Sequence, residues 1–248
     1  MIILKTTEEI EIMRRAGQVV GRTLDMVGEI IREGMSTAEL DRLIEEYLRD
    51  QGAVPAFKGY SGFPASACIS IDEEVVHGIP GERIIRDGNI VSVDVGSIVD
   101  GFYGDSARTF GVGEASKEKQ ALMENTRQCL QAGIDKARSG NRLGEISAAV
   151  QATAEAAGYG VVRALVGHGI GRKMHEDPQI PNFGSPEAGP VLKTGMVLAI
   201  EPMINMGTWE VYTKSDGWTY VTADGEPSAH FEHTLAITDD GPSILTIA

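Results

Sequence analysis

The stretch from Asn89 to Phe110, NIVSVDVGSIVDGFYGDSARTF, constrains the fold more than any other part of the sequence. Apolar and β-branched residues alternate on both sides of Asp100-Gly101, a dipeptide that favours a two-residue hairpin turn. The pattern therefore predicts two antiparallel strands, Ile90–Ser97 and Phe102–Phe110, that are joined by a tight turn.

The register of this hairpin brings two aspartates to one side of the sheet. With a two-residue loop, Asp94 faces Ala107 and Asp105 faces Gly96, which makes the aspartates diagonal neighbours about 7–8 Å apart at Cα. Like charges this close raise one pKa unless a cation lies between them, and aspartate is unfavourable in strands. A bound metal ion would remove this conflict. For a pair of aspartates taken alone, the more common arrangement is that one of them is a solvated residue at the turn or the sheet rim, and the rest of the chain has to decide between the two.

Length and composition set the broad class of the protein. A chain of 248 residues can form one large domain or two small ones, and a hydrophobic fraction of 42% is ordinary for a globular protein. No apolar run approaches the roughly 20 residues that span a bilayer, and the first residues, MIILKTTEEIEIMRR, lack the features of a signal peptide. We expect a cytoplasmic protein with no membrane partner.

Charge and cysteine content exclude further classes. A net charge of −14 opposes binding to phosphate backbones, so we expect no nucleic-acid partner. Cys68 and Cys129 are too few for a disulfide framework and too far apart in sequence to form a metal-binding pair. We expect both thiols to be reduced.

Helical and strand patterns occur in the same order twice. Capping residues and apolar spacing predict four helices, which are Thr6 to about Glu33, Ser36 to near Gly52, a long helix from Ser116, and Arg142–Ala157. Outside the hairpin the predicted strands are Ala67–Ile71, Val161–Val166, Met196–Ile200, Val211–Tyr212, Trp218–Val221 and His230–Ile237. A long helix, a short helix and a sheet thus occur in each half. This favours one pseudo-two-fold α+β domain, residues 1–248, with a mainly antiparallel sheet covered by two helix pairs on one face.

Three further polar residues interrupt apolar strand patterns. His168 lies between glycines in VGHGIG, where it is either a hydrogen-bonded structural residue or a ligand. Glu201 follows the apolar run MVLAI, where it either marks the strand's exit into water or belongs to a site. Glu232 falls at a predicted mid-strand position among small neighbours, and a buried carboxylate there requires a partner or a metal.

These residues together have the composition of a metal site. Asp94, Asp105, His168, Glu201 and Glu232 supply four carboxylates and one imidazole, which suit divalent Mn, Fe, Co or Zn. Four carboxylates exceed what one ion needs and match the charge of two. Two-metal sites with ions about 3.5–4 Å apart typically activate water for hydrolysis.

Several segments of the chain resemble the type I methionine aminopeptidases, a family with the pita-bread fold that is shared with creatinase and prolidase. They are HGIPGERIIRDGNIVSVDVG, DGFYGDSARTF, GHGIGRKMHEDP, KTGMVLAIEPM and DGWTYVTADGEPSAHFEHTLAIT, in the family's order and spacing. The resemblance covers nearly the whole chain. It implies the pita-bread fold and a bacterial-type enzyme that removes the initiator methionine from nascent polypeptides when the second residue is small.

The resemblance also implies a role for each site residue. The family's metal ligands fall on the same five residues, and two ions are implied. His77 and His175 would contact the substrate around the scissile amide, and Glu201 would act in catalysis as well as binding metal. The side-chain pocket would comprise Tyr60, Phe63, Cys68, Met174 and Trp218. Phe57, Phe63 and Met174 depart from the residues frequent in the family but remain apolar.

Two alternative functions remain at this point. One is a prolidase-like Xaa-Pro dipeptidase, although such relatives usually carry an additional N-terminal domain. The other is a non-catalytic pita-bread binding module, although such modules typically lose metal ligands. We expect a monomeric hydrolase whose partners are nascent polypeptide N-termini.

Overall fold

The computed structural model describes residues 1–247 and has four α-helices. They are α1 (Thr7–Ile30), α2 (Thr37–Asp50), α3 (Lys117–Lys136) and α4 (Leu143–Ala156). Thr6 caps α1 as predicted, because its side chain accepts a hydrogen bond from Glu9 N while the Glu9 carboxylate accepts one from Thr6 N. The side chains of Ser36 and Ser116 likewise accept hydrogen bonds at the starts of α2 and α3.

Within residues 1–247, fifteen strands accompany the helices. They are β1 (Val54–Pro55), β2 (Ala67–Ile71), β3 (Glu74–Val76), β4 (Ile90–Val99), β5 (Phe102–Gly111), β6 (Gly160–Val161), β7 (Val166–Gly169), β8 (Glu176–Pro181), β9 (Val197–Ile200), β10 (Met203–Asn205), β11 (Val211–Thr213), β12 (Tyr220–Thr222), β13 (Ser228–His230), β14 (His233–Thr238) and β15 (Gly241–Ile244).

Every strand pair is antiparallel, and the strands divide among four sheets. One sheet contains β1, β4 and β2, with β5 paired to β4, and another has the order β15-β14-β9-β7-β8. Two three-stranded sheets, β13-β10-β6 and β11-β12-β3, complete the fold. The predicted repetition of long helix, short helix and strands is confirmed, and one apolar core lies against each helix pair.

The central hairpin has the predicted register. Asp94 pairs with Ala107 and Gly96 pairs with Asp105 along β4 and β5. The turn residues Asp100 and Gly101 have φ angles of 49° and 78°, the positive values that a type I′ turn requires. The strands extend slightly beyond the prediction, to Val99 and Gly111.

Two predicted strands are wrong in their extent. Val161–Val166 divides into β6 and β7, and His230–Ile237 divides into β13 and β14. The cause is the same in both segments: β6 and β13 bond to β10, whereas β7 and β14 bond to β9. The chain therefore leaves one sheet and enters another within each segment.

Five strands, β1, β3, β8, β10 and β15, were not predicted, and further differences concern element ends. Helix α1 ends at Ile30 rather than near Glu33, because the chain turns away and Gly34 N donates to Ile85 O at 2.9 Å. Trp218 precedes its strand, since its N–H donates to the carboxylate of Asp216 at 2.8 Å within a turn. Among residues 1–247, none of the helices has the length and apolar character needed to cross a bilayer.

Candidate active site

The hairpin supplies the first two acidic side chains of the site. Asp94 on β4 and Asp105 on β5 line the same cavity, and only 5% of Asp105 is exposed. Cys68 on β2 pairs with Asp94, so that the thiol also reaches this cavity. The diagonal placement predicted from the turn thus brings two carboxylates to one point.

Adjacent strands β7 and β9 bring His168 and Glu201 to the aspartates. His168 pairs with Ala199, and Glu201 follows the last residue of β9. The His168 Nδ1 lies 2.9 Å from Gly169 O, a carbonyl that can only accept, so Nδ1 carries the proton. The unprotonated Nε2 then faces the carboxylates, 3.6 Å from Glu201 Oε1 and 3.9 Å from Asp105 Oδ2.

The glycines beside His168 allow this close strand packing. A Cβ on Gly167 would lie 2.4 Å from Ala199 O, and a Cβ on Gly169 would lie 2.1 Å from Asp177 O. No side chain fits at either position. The close backbone approach that the sequence VGHGIG predicts is therefore confirmed.

Glu232 enters the site from a bend and not from the middle of a strand. It lies between β13 and β14, and its N–H donates to Ala107 O on β5 at 2.9 Å. The Thr234 hydroxyl donates to Asp105 O at 2.7 Å, which holds the same segment against β5. The switch between sheets thus positions the Glu232 carboxylate, 2% exposed as a residue, beside Asp105.

Burial and mutual repulsion dominate the electrostatics of the cluster. Burial raises the pKa of Asp105 to about 7, and burial with repulsion from neighbouring carboxylates raises the pKa values of Asp94 and Glu232 well above their ordinary range. Burial followed by repulsion from Asp105 raises the pKa of Glu201 in the same direction. Burial lowers the pKa of His168 to about 4, so the imidazole is neutral.

Several of these buried oxygens lack a hydrogen-bond partner among residues 1–247. They are Asp94 Oδ1, Asp105 Oδ1 and Glu232 Oε1. One potential ligand atom from each of Asp105, His168 and Glu232 lies within 4.8 Å of the others. Unpaired buried acceptors around a neutral imidazole are an arrangement that a divalent cation would satisfy.

An apolar wall adjoins the carboxylates in the same cavity. Phe63 and Trp218 meet edge to face with ring centroids 5.1 Å apart. All the residues named for the site from the sequence line this cavity, namely Phe57, Tyr60, Phe63, Cys68, His77, Asp94, Asp105, His168, Met174, His175, Glu201, Trp218 and Glu232. The structure thus brings them together from both halves of the chain.

Two histidines lie beside the carboxylate cluster. His77 has a φ of 59°, a strained backbone conformation for a residue with a side chain, and burial lowers its pKa to about 4. His175 Nδ1 lies 2.8 Å from Tyr60 Oη, and its ring centroid is 4.4 Å from that of His168. Both imidazoles therefore border the space next to the cluster.

The sequence pattern of metallopeptidase family M24 matches residues 11–239. The chain belongs to this family. A methionine aminopeptidase of Clostridium perfringens is 55% identical over 247 residues, which cover 100% of this chain and 99% of that protein. The crystal structure of a methionine aminopeptidase from Thermotoga maritima has a TM-score of 0.98 and 47% identity, with each chain covered completely.

Solved structures of prolidases are less similar to this chain. The prolidase from Pyrococcus furiosus has a TM-score of 0.80 and 25% identity, and the match covers 99% of this chain but 66% of that one. The M24 fold, which is the pita-bread fold expected from the sequence, is thus common to both kinds of protein. The higher similarity is to proteins named methionine aminopeptidase.

This M24 chain has one more buried group at the site that the sequence reasoning missed. His230 is 1% exposed, and its Nε2 lies 4.0 Å from Glu201 Oε2. Neither ring nitrogen has a hydrogen-bond partner within the described chain. Burial, followed by repulsion from His77, lowers the pKa of His230 to about 3. Its closeness to Glu201 follows from the pairing of His230 with Met203 on β10, a contact between distant segments that has no local signal in the sequence.

Proposed function

We propose that residues 1–248 form a single catalytic domain, a metal-dependent methionine aminopeptidase that removes N-terminal methionine from polypeptides with a small second residue. The observation that carries this proposal is the contact between a buried acidic cluster and an apolar wall in one cavity. The cluster suits hydrolysis at a metal centre, and the wall suits the unbranched thioether of methionine.

The residues present fit a divalent metal. The donor atoms are unpaired oxygens of Asp94, Asp105 and Glu232 and the free Nε2 of neutral His168. A divalent ion requires such a set. The raised pKa values of the carboxyl groups also fit a divalent ion, because a nearby cation would lower them. Asp94, Asp105, His168, Glu201 and Glu232 would hold two ions, drawn from Co, Mn, Fe or Zn. When bound, the ions would activate water and polarise the scissile carbonyl.

The chain's own side chains would handle binding and proton transfer. Glu201 is placed at the end of a buried strand, and its carboxylate would carry the proton of the attacking water to the leaving amine. His175, hydrogen-bonded to Tyr60, and His77 border the same space and would hold the scissile amide. The strained backbone of His77 supports a role in the site rather than a surface position.

The apolar wall would select the first side chain of the substrate. Phe63 and Met174 are 4% and 3% exposed, and Cys68 and Trp218 border them in one apolar cluster. Phe57 also packs there, with its ring against Gly96 of β4, where a Cβ would come within 2.6 Å of Phe57 Cε1. The three residues that depart from the family pattern therefore keep this wall apolar.

A peptide-release assay with added divalent metal would test the function. We expect rapid release of methionine from Met-Ala-Ser, slow release of alanine from Ala-Ala-Ser, and no cleavage of Xaa-Pro dipeptides. Preferred cleavage of Xaa-Pro would instead support the prolidase-like alternative. Absence of any hydrolysis with Co, Mn, Fe or Zn would support the non-catalytic module.

The same proposal includes the setting of the reaction. The substrates would be the N-termini of nascent polypeptides in the cytoplasm, and the protein would act as a monomer. Its acidic net charge of −14 supports the absence of a nucleic-acid partner.

A further inference from the structure

The N-terminal segment of the chain contacts the loop that carries His175. The loop is Gly171–Glu176, which follows β7 and ends at the first residue of β8. Lys5 pairs with Glu176, Glu9 pairs with Arg172 at 3.4 Å, and the Met1 amino group pairs with Asp177 just beyond the loop. The Glu9–Arg172 and Met1–Asp177 pairs are exposed to solvent and therefore contribute little to stability.

The Lys5–Glu176 pair differs from the others because it is buried. Its Nζ and Oε2 atoms are 2.5 Å apart, and only 4% of the Lys5 side chain and 6% of the Glu176 side chain are exposed. Lys5 Nζ also donates to Ile3 O at 3.0 Å. A buried pair of this kind resists separation, because loss of either partner leaves an unpaired charge out of water.

Both partners are anchored to the chain around the active site. Lys5 N donates to Gly195 O at 2.7 Å, just before β9, and Glu176 Oε1 accepts a hydrogen bond from Lys173 N at 3.2 Å. A Cβ on Gly171 would lie 2.5 Å from Lys5 Cε and 2.8 Å from Glu176 Oε1. The pair therefore lies directly against the backbone of the loop and fixes both of its ends.

The loop presents two residues to the active-site cavity. Met174 belongs to the apolar wall, and His175 precedes Glu176 directly in the chain. On the cavity side, the only hydrogen bond of the His175 ring within the described residues is the contact with Tyr60. The His175 imidazole is exposed to solvent on its other side. Its position next to His168 therefore depends on the loop backbone.

We propose that Lys5 and Glu176 are positioning residues for the reaction, which hold the Gly171–Glu176 loop so that His175 meets the scissile amide. This rests on the proposed aminopeptidase function. Lys5 touches neither substrate nor metal in this account and acts through Glu176 and His175. Loss of the pair would displace His175 while leaving the carboxylate cluster, which is built on other strands, intact.

Kinetics of variants that remove the charges test the proposal. Lys5→Met keeps the length of the aliphatic stem, and the double variant Lys5→Met/Glu176→Gln leaves no unpaired buried charge and is therefore expected to fold. In assays well below the melting temperature of each variant, we expect kcat to fall about 10–100-fold in both. Calorimetry should show unchanged metal affinity. Arg15→Gln, which breaks the exposed pair with Asp100, is the matched control and should retain wild-type kcat.

The His175→Ala background distinguishes positioning from general stability. If Lys5 acts through His175, adding Lys5→Met to His175→Ala should change kcat less than about twofold. An equal fold-loss in both backgrounds would overturn the proposal. So would a double variant Lys5→Met/Glu176→Gln that is folded and has wild-type kcat.

A spectroscopic readout separates this proposal from the proposed function. The imidazole nitrogen signals of His175, assigned with His175→Ala, should shift in Lys5→Met/Glu176→Gln as the contact with Tyr60 is lost. Unchanged signals would contradict the positioning role even without an activity measurement. Wild-type protein that fails to release methionine would contradict the proposed function, whereas a shift of the His175 signals would still show that the Lys5–Glu176 pair holds His175 against Tyr60.

Discussion

After removal of metal, the buried carboxyl groups of the site should make the protein less stable as pH rises near neutrality. The folded, metal-free chain buries Asp94, Asp105, Glu201 and Glu232, and burial raises all four pKa values. A group whose pKa is higher in the folded chain stabilises it fully below the unfolded pKa, and this stabilisation is lost as pH rises through the folded pKa. The contribution of these four carboxyl groups to the free energy of unfolding of the stripped protein should therefore fall as pH rises.

The pKa of Asp105 sets the magnitude. Its carboxyl has an ordinary pKa of 3.8 and a pKa of about 7 in the folded chain. At 1.36 kcal/mol per unit of pKa, this pKa difference corresponds to about 4 kcal/mol of stability, most of which is lost below pH 7. The last part, about 1 kcal/mol, is lost between about pH 6.5 and 8.5, which corresponds to about 2–4 °C in Tm for a chain of this size.

The histidines determine the useful pH window. Burial lowers the pKa values of His77 and His168 to about 4, below the 6.5 of a free imidazole. Their contribution therefore increases stability as pH rises from about 4 and becomes constant only above about pH 7.5, where the unfolded imidazoles are also neutral. Because Asp105→Asn keeps all the histidines, the difference in Tm between the wild type and this variant isolates the carboxylate.

Calorimetry of chelator-stripped protein provides the assay. Relative to the Tm of stripped Asp105→Asn, which shares the histidines but lacks one titrating carboxyl, the Tm of the stripped wild type should fall by about 2 °C from pH 6.5 to 8.5. Protein loaded with Mn²⁺ should show no such relative fall, because metal binding competes with protons for the same oxygens. A difference in Tm between the two stripped proteins that is constant or moves in favour of the wild type over this range would refute the reasoning.

The remaining predictions concern activity. Asp105→Asn should weaken divalent-metal binding in isothermal calorimetry and reduce methionine release; full activity in material free of wild-type enzyme would contradict the site assignment. Glu201→Gln keeps an oxygen ligand but no base, so metal analysis should find at least one ion while kcat is mostly lost. His77→Ala should lower kcat and kcat/KM together by about 10²–10⁴ with unchanged metal content, and a loss of metal would argue against an amide-binding role. Formyl-Met-Ala-Ser should not be cleaved, because the formyl group adds bulk and leaves no free amine to bind at the acidic cluster. Efficient turnover of this peptide would exclude binding of the substrate through its amine.

Local sequence chemistry accounts for the part of the site that could be predicted. The hairpin register follows from Asp100-Gly101, because a two-residue turn fixes which residues face each other. The position of Asp94 relative to Asp105 was therefore accessible from the sequence. Helix starts at Thr6, Ser36 and Ser116 were equally accessible, since each depends on a capping hydrogen bond within one turn.

Long-range packing determines the part that could not be predicted. The apolar alternation of HFEHTLAI indicates one strand, but pairing with β10 on one side and β9 on the other bends the chain at Glu232. Neither pairing has a local signal. The Lys5–Glu176 pair joins residues 171 positions apart, and only the folded chain brings the N-terminal segment to the His175 loop.

We expect the carboxylate cluster beside the apolar wall to bind catalytic metal. Anomalous diffraction from crystals of the active protein loaded with Mn²⁺ tests it most directly. We expect two peaks about 3.5–4 Å apart, within bonding distance of Asp105, Glu232 and His168 Nε2. Active, Mn²⁺-loaded crystals with no anomalous peak in contact with these three side chains would contradict the account.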